Sequence, residues 1–302
     1  MIHRLGPRGT AVVATIALVA MTASWGSTFF LIKDLLDRVP TLDFLAVRFA
    51  IASVALLLVA PRALSRLSRE SRRHAVVLGG LYGLAQILQT AGLAHTPASV
   101  SGFITGMYVV LTPLLAALLL RTRITLLTWA AVALATAGLG VLTLQGTLAL
   151  GYGESLTLVG AALYALHIVG LGAWSRPEEA MGMSIVQLLV IALICGVATA
   201  PDGVVLPSTA GDWGSMLYMA LVAGAAAIFV QTWAQGHLPP TRSAIIMSME
   251  PVFAALFAVW FGGEDVTTRL LTGGLLVLTA MVVVELTPRR RKIEGEVTHL
   301  TV

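Results

Sequence analysis

Gln89-Thr90-Ala91-Gly92-Leu93-Ala94-His95-Thr96-Pro97 returns, altered, as Gln231-Thr232-Trp233-Ala234-Gln235-Gly236-His237-Leu238-Pro239. The match runs on to Ser101 with Ser243 and Ile104 with Ile246, giving six identities in sixteen ungapped positions. Further on, Pro113-Leu114-Leu115-Ala116-Ala117-Leu118 pairs with Pro251-Val252-Phe253-Ala254-Ala255-Leu256. The shared Gln, His and Pro are not apolar filler, which marks a repeat rather than a coincidence of two apolar runs. Four more positions separate Ile104 from Pro113 than Ile246 from Pro251, about one helical turn. Matched on the prolines, Glu250 answers to Thr112.

Both copies lie in strongly apolar surroundings. Of 302 residues, 57% are apolar and 11% charged, against about 25% charged in a soluble domain. The mean hydropathy is +0.90. Such a chain lacks the polar surface that water requires, so most of its apolar surface must face lipid. A helix needs about 20 mainly apolar residues to cross the hydrocarbon. Ten segments meet this: 11–34, 42–60, 75–95, 98–120, 124–145, 154–174, 183–200, 213–235, 242–262 and 268–287. Pro40, Pro61, Pro97, Gly146, Pro177, Pro201, Pro239, Pro240, Gly262 and Gly263 punctuate them. The first run follows Arg4 and Arg8 but lacks an A-x-A-like cleavage site, so it reads as a span rather than a signal peptide.

Lys and Arg concentrate in cytoplasmic loops, which tests the count. With both termini cytoplasmic, the inner segments hold fifteen basic residues: Arg4, Arg8, Arg62, Arg66, Arg69, Arg72, Arg73, Arg121, Arg123, Arg176, Arg242, Arg289, Arg290, Arg291 and Lys292. The outer segments hold Arg38 and Arg269 alone, and a wrong count would scramble this asymmetry. Five spans per half is an odd number, so the second copy enters the membrane from the opposite side. The expected architecture is therefore an all-α membrane protein of ten transmembrane helices in two inverted five-helix repeats. Residues 11–145 form the first, 154–287 the second, and 288–302 a short basic cytoplasmic tail. Inverted repeats suit alternating access about a central site near the midplane.

Several function classes fall away. The basic residues lie in short loops between apolar runs, a topology signal rather than a nucleic-acid groove. One cysteine, Cys195, excludes an internal disulfide and any Cys-rich metal site. There is no G-x-x-x-x-G-K-[ST], H-E-x-x-H or G-x-S-x-G, so the phosphate-cradling loop and the commonest hydrolase signatures are missing. No cofactor or metal is expected, and an enzyme would need paired acids or metal-ligand clusters at membrane depth. Asn is absent and 17 of the 19 basic residues are Arg, a bias that resembles GC-rich coding and favours a bacterial source.

Polar residues at helical spacing inside apolar spans mark a cavity, because lipid offers them no partners. Ser101, Thr105, Tyr108 and Thr112 make one stripe in the fourth span, and Tyr82, Gln86 and Gln89 another in the third. The sixth offers Tyr164 and His167, the first Ser24, Ser27 and Thr28, and the ninth Ser243, Met247 and Glu250. The plainer reading of each stripe is interhelical hydrogen bonding. Glu250 is the sharpest residue: an acid in mid-span costs at least about 2.5–3.5 kcal/mol unless it pairs, protonates or faces water. It reads as a proton-coupling or substrate-ammonium site, or as a carboxyl bonded beside the Pro251 break. Arg48, inside the second span, pairs with an acid such as Glu250, binds a substrate carboxylate, or snorkels to the interface. His167 is a titratable cavity group or a hydrogen-bonded packing residue. Pro113 and Pro251 remove backbone hydrogen bonds at matching places and are candidate hinges.

In order and spacing these segments resemble the EamA-type branch of the drug/metabolite transporter superfamily. The resemblance rests on Trp25-Gly26-Ser27, Arg48-Phe49, Ser101-Gly102-Phe103-Ile104-Thr105-Gly106 with Leu111-Thr112-Pro113-Leu114, Ala162-Leu163-Tyr164-Ala165, Gln231-Thr232-Trp233-Ala234, and Met249-Glu250-Pro251-Val252 before Gly263-Glu264. It implies two five-helix units and transport of small polar metabolites, commonly amino acids or related compounds. Trp25 resembles the family tryptophan that faces the central cavity, the plainer reading being aromatic helix packing. The candidate cavity set is Trp25, Ser27, Arg48, Gln86, Gln89, Thr105, Tyr108, Tyr164, His167, Gln231, Met247 and Glu250.

The expectation is a secondary transporter of the inner membrane, moving a polar or amphipathic metabolite outward by alternating access. Its partners are the small-molecule substrate, the lipid bilayer and, as a candidate coupling ion, the proton, with no nucleic acid. It functions as a monomer or homodimer. An uptake permease or uncoupled facilitator is the rival within transport, and an intramembrane enzyme or sensor the rival outside it.

Overall fold

The computed structural model describes residues 7–119, 125–143, 150–235, 237 and 246–286, and every regular element among them is helical. The principal helices are α1 (Pro7–Leu36), α2 (Thr41–Val59), α3 (Arg69–Leu93), α4 (Ala98–Leu119), α5 (Leu126–Thr143), α6 (Tyr152–Trp174), α7 (Ala180–Thr199), α8 (Ala210–Ala234), α9 (Glu250–Trp260) and α10 (Thr268–Leu286). A single helical turn, Ala63–Arg66, lies between α2 and α3. Seven of these are long and apolar enough to cross a membrane: Val12–Leu36 of α1, then α2, α3, α4, α6, α7 and α8. The apolar stretches Leu126–Leu142, Glu250–Trp260 and Thr268–Val283 are shorter. Helix α3 begins at Arg69 rather than near 75 because Ser68 caps it, its hydroxyl accepting from Ser71 N–H at 3.1 Å. The expected features at Arg4, Arg121, Arg123, Gly146, Pro239, Pro240, Arg242, Ser243 and in the 288–302 tail lie outside the described residues.

The two halves interlock rather than sit side by side. Helix α3 packs on α6 and α7, α2 on α7, α1 on α9, α4 on α6 and α9, and α5 on α10. At the α1–α4–α9 crossing, glycine lets the backbones meet. A Cβ on Gly26 would lie 2.5 Å from Phe253 Cβ, and one on Gly102 2.5 Å from Ala254 Cβ. Small residues are the usual means of close approach between membrane helices, where no hydrophobic force drives association.

Polar contacts tie each end. At one, Lys33 Nζ donates to the Thr96 and Leu93 carbonyls at 2.7 and 3.3 Å, capping the C-terminus of α3. Arg38 bridges Asp34 and Asp212 at 2.6 and 2.7 Å, joining the end of α1 to the start of α8. Glu264 accepts from Ala98 N–H at 2.5 Å and from the Ser99 hydroxyl, placing a carboxylate at the N-terminus of α4. Asp43 accepts from Val205 N–H at the same end. At the other end, Ser71 Oγ donates to Glu179 at 2.5 Å and Ser68 N–H donates at 2.9 Å.

Two helices depart from regular α geometry. Residues Leu221–Ala226 of α8 form a π segment. Helix α4 is interrupted at Met107, whose N–H bonds Ile104 O at 3.1 Å. Just before α9, Met249 N–H bonds Ile246 O, also at 3.1 Å. Ile104 and Ile246 are the matched isoleucines of the repeat, so each half carries an i→i+3 break at the same register. The prolines do not share that register. On the breaks, the counterpart of Glu250 is Tyr108 rather than Thr112, which corrects the proline-based match: the extra turn in the first half falls after the break.

Candidate functional site

One narrow cavity opens where the halves meet, lined from seven helices or their approaches. Helix α1 contributes Trp25, Thr28, Phe29 and Ile32, whose spacing of three, four and seven puts them on one face. Helix α3 contributes Tyr82, Gln86 and Gln89, and α6 contributes Tyr164, His167 and Ile168. Arg48, Thr105, Tyr108, Gln231, Met247 and Glu250 complete the lining among the described residues.

Eleven of the twelve candidates from the sequence meet in this cavity; Ser27 does not. It lies two positions from Trp25, hence on the far side of α1. Its hydroxyl bonds Ser24 O at 2.7 Å and Tyr218 Oη at 2.8 Å, joining α1 to α8. Thr112 likewise lies off the cavity, its hydroxyl turned back onto Tyr108 O at 2.7 Å. Phe29, Ile32 and Ile168 were not among the candidates, because apolar lining is indistinguishable from lipid-facing or packing residues in such a chain. Tyr82 stood in a polar stripe, and its position one turn before Gln86 was the available signal.

The charged groups are set by their helices. Arg48 is only 2% exposed and does not snorkel. Its Nε donates to Met219 O at 3.1 Å, and its guanidinium lies over Phe44 and Phe49, 5.7 and 5.2 Å from the ring centroids. Trp25 Nε1 donates to Ala223 O at 2.9 Å. Both carbonyls belong to α8 at or beside its π segment, where the regular hydrogen-bond ladder is re-registered and backbone oxygen becomes available to side chains. Glu250 is 6% exposed, and Tyr108 Oη lies 3.0 Å from its Oε2 and 3.1 Å from Met247 O. Among the described residues the ion pairs are those of Arg38, so Arg48 and Glu250 do not pair with each other.

Neutral polar groups fill the wall between them. Tyr164 Oη donates to Gln89 Oε1 at 2.7 Å, Gln89 Nε2 reaches Thr105 Oγ1 at 3.4 Å, and Gln86 Nε2 donates to Tyr82 Oη at 3.1 Å. The His167 ring stacks on Tyr82 with centroids 5.1 Å apart, and its Nε2 bonds Gln187 Oε1 at 2.7 Å. His167 is thus both a hydrogen-bonded packing residue and part of the cavity wall. No group of three or more His, Cys, Asp or Glu placed to hold a metal occurs among the described residues.

A bundle of apolar helices from two interlocked halves, closing on a buried polar cavity, is the build of a multi-pass membrane carrier. The EamA-like transporter family model matches the chain twice, over residues 12–144 and 151–286, and the chain belongs to that family. An uncharacterized transporter of Archaeoglobus fulgidus is 30% identical over 275 residues, covering 90% of this chain and 84% of that one. A Streptantibioticus cattleyicolor protein named "Probable terminal-alkyne amino-acid exporter" is 27% identical over 293 residues, 91% of this chain and 95% of that one. The uncharacterized inner membrane transporter YedA of Escherichia coli K12 is 25% identical over 278 residues. One solved crystal structure aligns with a TM-score of 0.65 at 18% identity, covering 90% of this chain and 96% of that one, which shows a shared fold. The chain is a multi-pass inner-membrane protein of transporter type.

Proposed function

We propose that this chain is a ten-span secondary transporter that carries an amino-acid-like zwitterion out of the cell by alternating access, held between Arg48 and Glu250. One observation carries the reading: a buried guanidinium from the first half and a buried carboxyl from the second line the same cavity without pairing. Each is costly at membrane depth, and a ligand bearing both charges answers both. Its carboxylate takes the guanidinium fork, its ammonium takes Glu250, and its side chain lies against Trp25, Phe29, Ile32 and Ile168. The name of the S. cattleyicolor relative supports an amino-acid class and the outward direction.

The seven long helices and three shorter apolar ones support a ten-span reading, and the basic-residue asymmetry supports both termini on the cytoplasmic side. The matched breaks at Met107 and Met249, each followed by a proline, serve as the paired hinges. The test is counterflow into proteoliposomes preloaded with a mixture of the standard amino acids. Uptake of one or more labelled amino acids that Glu250→Gln abolishes supports the reading. Equal uptake by protein-free vesicles and by the unmodified protein, across the panel, overturns the substrate class.

A further inference from the structure

Tyr108 and Glu250 stand 142 positions apart, the same offset that relates Gln89 to Gln231 and Ile104 to Ile246. Each immediately follows the methionine-centred region of its helix break, four residues past its matched isoleucine. The hydrogen bond between them therefore joins the two breaks across the pseudo-symmetry of the repeat, a hydroxyl from one half and a carboxyl from the other.

The two contacts of Tyr108 Oη pose a count of hydrogens. A phenol has one, yet Oη lies 3.1 Å from Met247 O and 3.0 Å from Glu250 Oε2. If the phenol hydrogen goes to Met247 O, the second contact is a hydrogen bond only when Glu250 carries a proton and donates it to Oη. If Glu250 is ionised, the phenol turns to the carboxylate, a charge-assisted bond of roughly twice the neutral strength. Met247 O then loses Tyr108 as its donor. That carbonyl is the one to which residue 251 would donate in a regular helix, and Pro251 has no N–H to give. A change at Glu250 is thereby delivered to the backbone where α9 begins.

We propose that Tyr108 is the coupling residue that carries the protonation state of Glu250 to the break before α9, by moving its one hydrogen between the Glu250 carboxylate and the Met247 carbonyl. The proton itself enters and leaves at Glu250 Oε2, and the phenol keeps its own hydrogen throughout. The inference rests on the reading that Glu250 lies in the transport path. Among the described residues, the other titratable or charged groups on the same cavity are Arg48 from α2, Tyr82 from α3, and Tyr164 and His167 from α6. α1 presents Trp25, Thr28, Phe29 and Ile32 there, and α8 presents Gln231, none of which titrates.

The test needs protons alone. Spin labels are placed at Leu84→Cys on α3 and Val252→Cys on α9 in a Cys195→Ser background, with the full chain in vesicles of phosphatidylethanolamine and phosphatidylglycerol. The interspin distance is read as pH is stepped. The expected result is a pH-dependent distance in the parent, lost in Tyr108→Phe. In Glu250→Gln, whose amide donates as the protonated acid does, the distance stays fixed at its acidic value. Infrared spectra give the second reading: a protonated-carboxyl band present in the parent, absent in Glu250→Gln, and shifted upward in Tyr108→Phe. A Tyr108→Phe protein whose distance responds to pH as the parent does, or whose carboxyl band is unshifted, overturns the proposal. So does a parent that does not respond to pH. Failure of amino-acid counterflow leaves all these readings intact, so it strikes the substrate class and not the coupling.

Discussion

The Arg48 guanidinium commits Nε to Met219 O and lies over Phe44 and Phe49, and Arg48 lines the cavity. Lysine keeps the charge but has neither the fork nor the planar stack. A hydrogen bond to a charged group is worth about 1.5–3 kcal/mol, or roughly ten- to hundredfold in affinity. Arg48→Lys is therefore expected to weaken the concentration dependence of flux by that factor. Undiminished apparent affinity in this variant would contradict a carboxylate at Arg48. Polar candidates of this kind were legible in the sequence because a polar residue in an apolar span has few explanations. Ser27 misled because a span's inward face was not fixed by composition. Once Trp25, Thr28, Phe29 and Ile32 define that face, a residue two places from Trp25 falls opposite it.

At the scale of the element, a helix break and a close crossing bound α9. An added methyl on Gly102 meets Ala254 Cβ at 2.5 Å with helix backbone behind it. Overpacking of this kind costs about 1–3 kcal/mol, so Gly102→Ala is expected to lower the melting temperature in detergent; an unchanged one would mean that α4 and α9 slide freely there. Pro251→Ala supplies an N–H one turn past the Met247 carbonyl, where proline has none. It should slow transport more than it weakens binding, and lost binding with unchanged cycling would remove the hinge. At the far end, the Ser71 hydroxyl and then the Ser68 N–H hold the Glu179 carboxyl below its ordinary value of 4.5. A depressed carboxylate stabilises above its unfolded value and ceases to do so as pH falls through the folded one. The melting difference between the parent and Glu179→Gln should therefore be present at neutral pH and shrink as pH is taken below 4.5. Apolar segments and turn prolines could be read from the sequence, since apolar length and helix-breaking residues announce them, whereas the Ser68 cap that starts α3 at Arg69 was not read there. The π segment of α8 and the register of the two breaks could not, because a shift in backbone hydrogen bonding leaves no side-chain pattern of its own. Matching on Pro113 and Pro251 for that reason put Thr112 opposite Glu250, where the breaks put Tyr108.

On the proposed ten-span reading, the whole molecule depends on an odd number of helices per half. The likeness of Gln89–Ile104 to Gln231–Ile246 made the repeat legible, and the arginine asymmetry supports the proposed orientation. What no one-dimensional pattern held was the interlocking, with α3 lying on α6 and α7 and α1 on α9. Cys195 is buried and is the one cysteine of the chain, so Cys195→Ser gives a cysteine-free background for mapping sides. In intact cells, an impermeant maleimide should label Asp202→Cys and leave Ser65→Cys unlabelled until the membrane is opened; the reverse pattern would invert the orientation.

The central claim is that Arg48 and Glu250 hold a zwitterionic cargo that leaves the cell. Its most direct test is an untargeted metabolite profile of the medium from cells making the protein, compared with cells making Glu250→Gln at equal membrane levels. An amino acid or close relative enriched outside with the unmodified protein alone is the predicted result. Identical profiles, or an enriched compound that carries neither an ammonium nor a carboxylate, would contradict it.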